Sequence, residues 1–168
     1  MKKVLFAFAA FLMVGIGQVF AQDANRIGAQ LVYGTEINSL GIGAIAEFPI
    51  ADRMAISPSL SFYFPNDQGL VKTSAFEING NLNYIFVEDN SLVFYGIGGL
   101  NYTNVRVKTD MSHLGIPNSS ASSGDIGLNL GAGANFEVGQ SFLPFAEVKY
   151  VIGGYDQLVL AAGLKFNF

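Results

Sequence analysis

The sequence predicts an all-β chain, an eight-stranded antiparallel up-and-down transmembrane β-barrel preceded by a cleavable signal peptide. Three observations point there. The final stretch, Leu158–Phe168, alternates: Leu158, Leu160, Ala162, Leu164, Phe166 and Phe168 share one apolar face, and Gly163, Lys165 and Asn167 lie on the other. A period of two is a strand with one greasy and one wetter face. Hydrophobic residues make up 51% of the chain and charged ones 13%, about half the usual charged share. Yet beyond the N-terminus no apolar run reaches the ~18 residues a membrane helix needs. A chain that is apolar in total but never apolar in a row is what alternating lipid-facing strands produce.

Eight strands follow: Ala24–Tyr33, Leu40–Phe48, Arg53–Phe64, Ser74–Phe86, Leu92–Arg106, Asp125–Glu137, Leu143–Ile152 and Leu158–Phe168. The fourth is the clearest. Phe76, Ile78, Gly80, Leu82, Tyr84 and Phe86 line one face, and Glu77, Asn79, Asn81 and Asn83 the other. Three alternating asparagines need hydrogen-bond partners, which a wet barrel interior supplies. Extended to the other strands, the same rule puts no charged residue on any outward face, as lipid exposure of a charge would cost about 2–4 kcal/mol at mid-membrane. Pro58 interrupts the third strand and calls for a bulge or an unpaired position, because proline has no N–H to give the ladder.

Running the strands alternately up and down from a periplasmic N-terminus sorts the aromatics into two girdles. The upper holds Tyr33, Phe62, Phe64, Phe76, Tyr102 and Tyr150; the lower holds Phe48, Tyr84, Phe86, Phe94, Phe136, Phe166 and Phe168. Connections alternate in the same way. Pro49–Asp52, Val87–Ser91 and Val138–Phe142 are short and lie below. Above, Pro65–Thr73 and Val107–Gly124 are long, while Gly34–Ser39 and Gly153–Gln157 are compact. Neither an internal repeat nor a linker divides residues 22–168.

Residues 1–21 stand apart. Lys2 and Lys3 precede an apolar core from Val4 to about Gly17, and Val19-Phe20-Ala21 ends it with residues tolerated at a cleavage site. This reads as a secretory signal peptide, with a membrane anchor as the competing reading. Its removal leaves seven basic residues against thirteen acidic ones. So acidic a chain lacks the clustered Lys and Arg that nucleic-acid binding needs. Without cysteines no disulfide contributes to stability, and a closed hydrogen-bond ladder in lipid supplies it instead.

Phe94–Tyr102 (FYGIGGLNY), Asp125–Phe136 (DIGLNLGAGANF) and Leu160–Phe168 (LAAGLKFNF) carry a family likeness. Over its whole mature length the chain resembles the small eight-stranded outer-membrane barrels, the group that includes the OmpA transmembrane domain, OmpX and the opacity-type adhesins. The resemblance implies residence in the bacterial outer membrane after export, contact with its lipid and lipopolysaccharide, and a monomeric state. It also implies that Leu164, Phe166 and Phe168 form the signal read by the barrel-assembly machinery. No cell-wall-binding domain follows Phe168, so the anchoring role of the longer OmpA-type proteins is not expected. Activity is not implied, since the family's functions differ widely.

Charged residues assigned to the inward faces are Arg26, Glu47, Glu77, Glu137, Glu147, Lys149 and Lys165. Eight strands leave an interior just wide enough for side chains. The expected state is a salt-bridged polar plug, with a narrow ion or solute channel as the competing function. His113, with Asp110, Ser112 and the run Ser119–Ser123, has the residue types of a lipid-modifying hydrolase or acyltransferase. All sit in one predicted loop, where rigid positioning is hard, so no enzyme is expected. One histidine and no cysteine argue against a metal site, and no Gly-Lys-Ser/Thr follows the glycine clusters; no cofactor is expected. In Val107–Gly124, Met111, His113, Leu114 and Ile116 are candidates for recognising an extracellular ligand, since binding is carried by loops on rigid scaffolds.

Overall fold

The computed structural model describes residues 24–68, 71–89, 91–109, 119–138 and 142–168. The predicted signal peptide and the candidates Met111, His113, Leu114 and Ile116 lie outside them. Eight strands form one closed barrel: β1 (Arg26–Gly34), β2 (Ser39–Ala51), β3 (Met54–Gln68), β4 (Val71–Asp89), β5 (Leu92–Thr109), β6 (Ser119–Phe136), β7 (Leu143–Ile152) and β8 (Gln157–Asn167). Each pairs antiparallel with its sequence neighbours. β1 closes on β8 in unbroken register from Arg26↔Asn167 to Gly34↔Val159, which seals the barrel; only the upper parts of β3 and β6, which run past β2 and β7, are paired on one side alone.

The alternation read from the sequence sets the faces. Ile27, Leu31, Ile42, Leu60, Ile78, Leu100, Ile126 and Leu128 are exposed on the exterior, while Glu77, Asn79, Asn81, Asn83 and Lys165 are buried inside. A one-residue slip would reverse every side chain, and at each outward position read from the sequence the register agrees. The girdles form as well: Phe62 packs on Phe76 and Phe76 on Tyr102 at the upper end, Phe86 on Phe94 and Phe48 on Phe168 at the lower. From Phe76 to Phe86, ten residues at ~3.4 Å and ~40° tilt give an apolar band about 25 Å tall.

Pro58 meets its expectation by leaving a position unpaired. It keeps its place opposite Gly80 on β4, while the β2 ladder skips from Ile45↔Ser59 to Phe48↔Ile56 without losing register. Register shifts fall instead at Pro49/Ala51, Tyr63/Asn66 and Ile85/Val87.

The upper connections differ from expectation. β3 continues to Gln68 and β4 begins at Val71; β5 continues to Thr109 and β6 begins at Ser119. Much of Pro65–Thr73 and Val107–Gly124, read as loop, is therefore ladder. The reason lies in the partners: Val105↔Ser123, Val107↔Ala121 and Lys108↔Ser120 continue the pairing with small or polar residues that carry no greasy alternation. β1, β7 and β8, at 9, 10 and 11 residues, match the ~9–11 needed to cross a bilayer. β4, β5 and β6, at 19, 18 and 18, exceed it. Together with β3 they raise a four-stranded wall above the upper girdle.

The lumen as candidate functional site

Three layers of side chains fill the barrel. At the lower end Glu47 on β2 gathers two cations: Arg26 Nη1 donates to Oε1 at 2.6 Å and Lys165 Nζ to Oε2 at 2.6 Å. Lys165 also donates to Asn135 Oδ1 at 3.1 Å and lies over the Phe145 ring, 4.5 Å from its centroid, and near that of Tyr95. The Tyr95 hydroxyl donates to Glu147 Oε1 at 2.8 Å. Beneath them a vestibule opens downward, lined by Arg26, Asn83, Asn135 and Glu137 among others.

The middle layer is amide and hydroxyl. Asn79 Oδ1 accepts from Asn101 Nδ2 at 2.8 Å and Asn129 Nδ2 at 2.9 Å, while its own Nδ2 donates to Ser59 Oγ at 3.2 Å. Asn129 also donates to Asn81, Asn83 to Ser57, Thr103 to Asn101 and Gln30 to Ser61. Slightly higher, Gln157 Nε2 donates to Glu77 Oε1 at 2.6 Å, and Lys149 Nζ stands 3.9 Å from Glu77 Oε2.

The top layer is apolar, which the sequence reading of a wholly polar lumen did not anticipate. Val32, Tyr63, Ala75, Val151, Val159 and Ala161 pack together with Ile37. Ile37 comes from the turn between β1 and β2, which the chain holds down firmly. Tyr33 Oη donates to Asn38 Oδ1, Asn66 Nδ2 to Asn38 O, and Thr35 N to Leu158 O. Asn38 takes the left-handed conformation at φ 49°, which asparagine tolerates.

Of the seven charged residues assigned inward, the structure brings Arg26, Glu47 and Lys165 into one cluster, sets Glu77 beside Lys149, and joins Glu147 to Tyr95. Glu137 is the exception. β6 ends at Phe136, and Glu137 is exposed at the lower rim, its N–H donated to Ser91 O at 2.9 Å. One residue past the last ladder pair, Leu92↔Phe136, its side chain meets solvent. Leu164, Phe166 and Phe168 point outward and are exposed, and Phe168 N donates to Asn25 O. The run Ser119–Ser123 belongs to β6, not to a loop.

Sequence reading missed Tyr95, Gln30, Asn101, Thr103, Asn129, Asn135 and Gln157 as network members. Every one lies at an inward position of the same alternation, so the signal was present. What the alternation does not contain is which strand's side chain reaches which partner across the lumen.

An interior of buried Glu, Lys and Asn inside an exterior of exposed Leu, Ile and Phe inverts the arrangement of a soluble barrel that carries an apolar ligand. This is the fold of the small outer-membrane β-barrels. The N-terminal β-barrel domain of Pseudomonas aeruginosa OprF superposes with a TM-score of 0.66 at 18% identity, covering 88% of this chain and 98% of that one. Neisserial surface protein A gives 0.59 at 15%, covering 86% and 96%. Ail, the attachment invasion locus protein of Yersinia pestis, gives 0.58 at 16%, covering 85% and 97%. No family description matches the sequence, and no curated protein does. The barrel thus shares its fold with surface proteins, and fold alone does not carry function.

Proposed function

We propose that the chain is an integral outer-membrane barrel with a structural or surface-interaction role, closed to solutes and without catalytic activity. The observation that carries this reading is the four-stranded wall raised by β3–β6 above an otherwise minimal barrel. Strands of 18 and 19 residues exceed what crossing a bilayer needs, so the surplus serves the space beyond it. Export by residues 1–21 and delivery to the assembly machinery through Leu164, Phe166 and Phe168 belong to the same proposal. Residues 107–124 form the recognition surface, part ladder and part connection. β1 and β8 seal the barrel itself, and a monomer belongs to the same proposal.

The apolar top layer speaks against the narrow channel. A buried layer of valines with Ile37 and Tyr63 opposes ion entry, as hydrophobic constrictions do.

Cell fractionation followed by gel mobility with and without boiling tests the proposal. The protein is expected to pellet with outer membranes and to migrate differently before heating. Recovery in the soluble periplasmic fraction would refute it.

A further inference from the structure

The lower vestibule holds two carboxylates that the pairing inside the lumen leaves over. Deeper in the barrel each carboxylate has a partner: Glu47 takes Arg26 and Lys165, Glu77 stands beside Lys149, and Glu147 accepts from Tyr95. Glu88 and Glu137 line the vestibule, yet neither side chain has a hydrogen bond or an ion pair among the described residues. The strand register places them. Glu88 on β4 pairs with Val93 on β5, and Val93 with Asn135 on β6, so the three share one inward row. Glu137 follows two residues below Asn135. The two glutamates thus flank the foot of β5, two strand spacings of ~4.8 Å apart, a gap that an ammonium group bridges when both side chains turn toward it. Arg26 faces the same space with its charge taken by Glu47, and Arg53 in the adjoining turn pairs with neither glutamate.

A second observation lies above them. Asn83, 3% exposed, lines the vestibule and spends its Nδ2 on Ser57 Oγ, which leaves its Oδ1 without a donor. An unmade hydrogen bond at a buried acceptor is costly, and a ligand that donates there removes the cost. On β5, the partners of Asn83 and Glu88 are Ile97 and Val93, four ladder steps or about 14 Å apart. Met54, Ile85, Val93 and Leu143 line the way between the two levels with apolar surface. Higher up, Val32, Val159 and Ile37 close the lumen, so the vestibule is blind. Acid at the mouth, an apolar wall and a lone acceptor within describe a slender molecule: an ammonium, a chain of methylenes, and a hydroxyl or amide donor. A metal ion does not fit, since no three acidic or histidine side chains among the described residues are placed to hold one. A second ammonium at the inner end is opposed by Arg26 and Lys165, two cations sharing the one carboxylate of Glu47.

We propose that the lower vestibule, through Glu88, Glu137 and Asn83, binds an aliphatic amine that carries a neutral hydrogen-bond donor at the far end of its chain. The site depends on the closed barrel and not on which side of the membrane its lower end faces. After the reach of the two side chains, the ~14 Å between backbones leaves roughly 8–9 Å for the ligand, the length of an extended six-carbon amino alcohol.

The test follows the methyl signal of Met54, which lines the vestibule, by NMR of the full folded chain with methyl-labelled methionine. Zwitterionic detergent and low ionic strength keep the carboxylates unscreened, and Met54→Leu assigns the signal. Titration with 6-amino-1-hexanol is expected to shift it saturably, hexylamine to do so more weakly, and 1-hexanol, which lacks the ammonium, not to do so. Glu88→Gln with Glu137→Gln should weaken 6-amino-1-hexanol binding about tenfold, the contribution of two exposed ion pairs. Asn83→Ala should bring 6-amino-1-hexanol down to the affinity of hexylamine and leave hexylamine unchanged, a selectivity that a purely structural role would not produce. The heat-dependent mobility shift confirms that each variant is folded. Absence of a saturable shift, equal binding by wild type and the double glutamine variant, or equal binding of 1-hexanol would overturn the site. Equal weakening of both amines in Asn83→Ala would overturn the inner donor and with it the amino-alcohol assignment.

Discussion

Lys165 on β8 reaches past β1 to set its ammonium nitrogen 2.6 Å from the carboxylate of Glu47 on β2. The residue it passes is Gly28, its register partner on β1, whose missing side chain leaves the way clear. One carboxylate therefore ties together the three strands at which the barrel closes, with Arg26 of β1 as its second cation.

That arrangement makes Glu47 the sensitive member. Glu47→Ala leaves Lys165, 1% exposed, as a buried charge without its carboxylate, held only by Asn135 and the Phe145 and Tyr95 rings, and loss of one partner of a buried pair costs about 3–5 kcal/mol. Lys165→Met is expected to cost less, because Glu47 keeps Arg26 and the methionine stem still fills the space between Phe145 and Tyr95. Urea unfolding in lipid vesicles, monitored by loss of the unboiled gel band, gives the order. A Lys165→Met variant less stable than Glu47→Ala would contradict it.

Asn79 is the hub of the middle layer, holding Asn101, Asn129 and Ser59 at once. Asn79→Leu keeps the branching of the side chain but orphans one hydroxyl and weakens two amides in a buried site. At ~1–3 kcal/mol for a group left without its partner, a loss of about 2–4 kcal/mol is expected in the same unfolding assay. Asn129 retains its bond to Asn81, which limits the damage. A neutral result would mean that the amide layer is filling rather than structure.

How far the sequence was legible follows from these residues. The position of Asn79 was plain, because alternation alone decides which face a strand residue takes. So was the neighbourhood of Arg26 and Lys165, since the first and last strands of a closed barrel must touch. Glu137 lines the lower vestibule but is exposed at its rim and outside the buried network, because alternation does not say where a ladder stops. Lys72 and Lys108 were read as loop for a related reason: above the girdle both faces turn polar, and the periodic signal vanishes while the hydrogen bonding continues. Ile37 was invisible in a different way. A lone apolar residue in a polar turn has no pattern to belong to, and only the fold of the turn carries it into the mouth.

The apolar top layer predicts electrical silence. Planar-bilayer recordings of the reconstituted protein should show no discrete conductance. Ile37→Ala should stay silent too, because Val32, Val151 and Val159 remain on their strands, while stability drops by about 2 kcal/mol, the low end for truncating a buried isoleucine. Steady single-channel currents from the wild type would revive the channel reading. Currents appearing only in Ile37→Ala would make the β1–β2 turn the gate.

Closure itself hangs on two glycines at the β1–β8 seam. A Cβ on Gly28 would collide with the carbonyl oxygen of Leu164, and one on Gly163 with that of Ala29 and with the Phe145 ring. Both obstacles on the strands are backbone, so the clash is relieved only by spreading the two strands, which breaks the ladder that seals the barrel. Gly80 and Gly96 face lipid with nothing within 4 Å of a built Cβ, and alanine there fills empty space. Gly163→Ala and Gly28→Ala should therefore lower the folded fraction, by about 1–3 kcal/mol or more as overpacking does, and leave β1 and β8 as open edges prone to pair with other chains. Gly80→Ala and Gly96→Ala should match the wild type. Comparing the unboiled folded band across the four variants decides the matter: equal loss in all four would point to a general intolerance of glycine replacement in strands, and equal retention would mean that the seam is looser than its register implies.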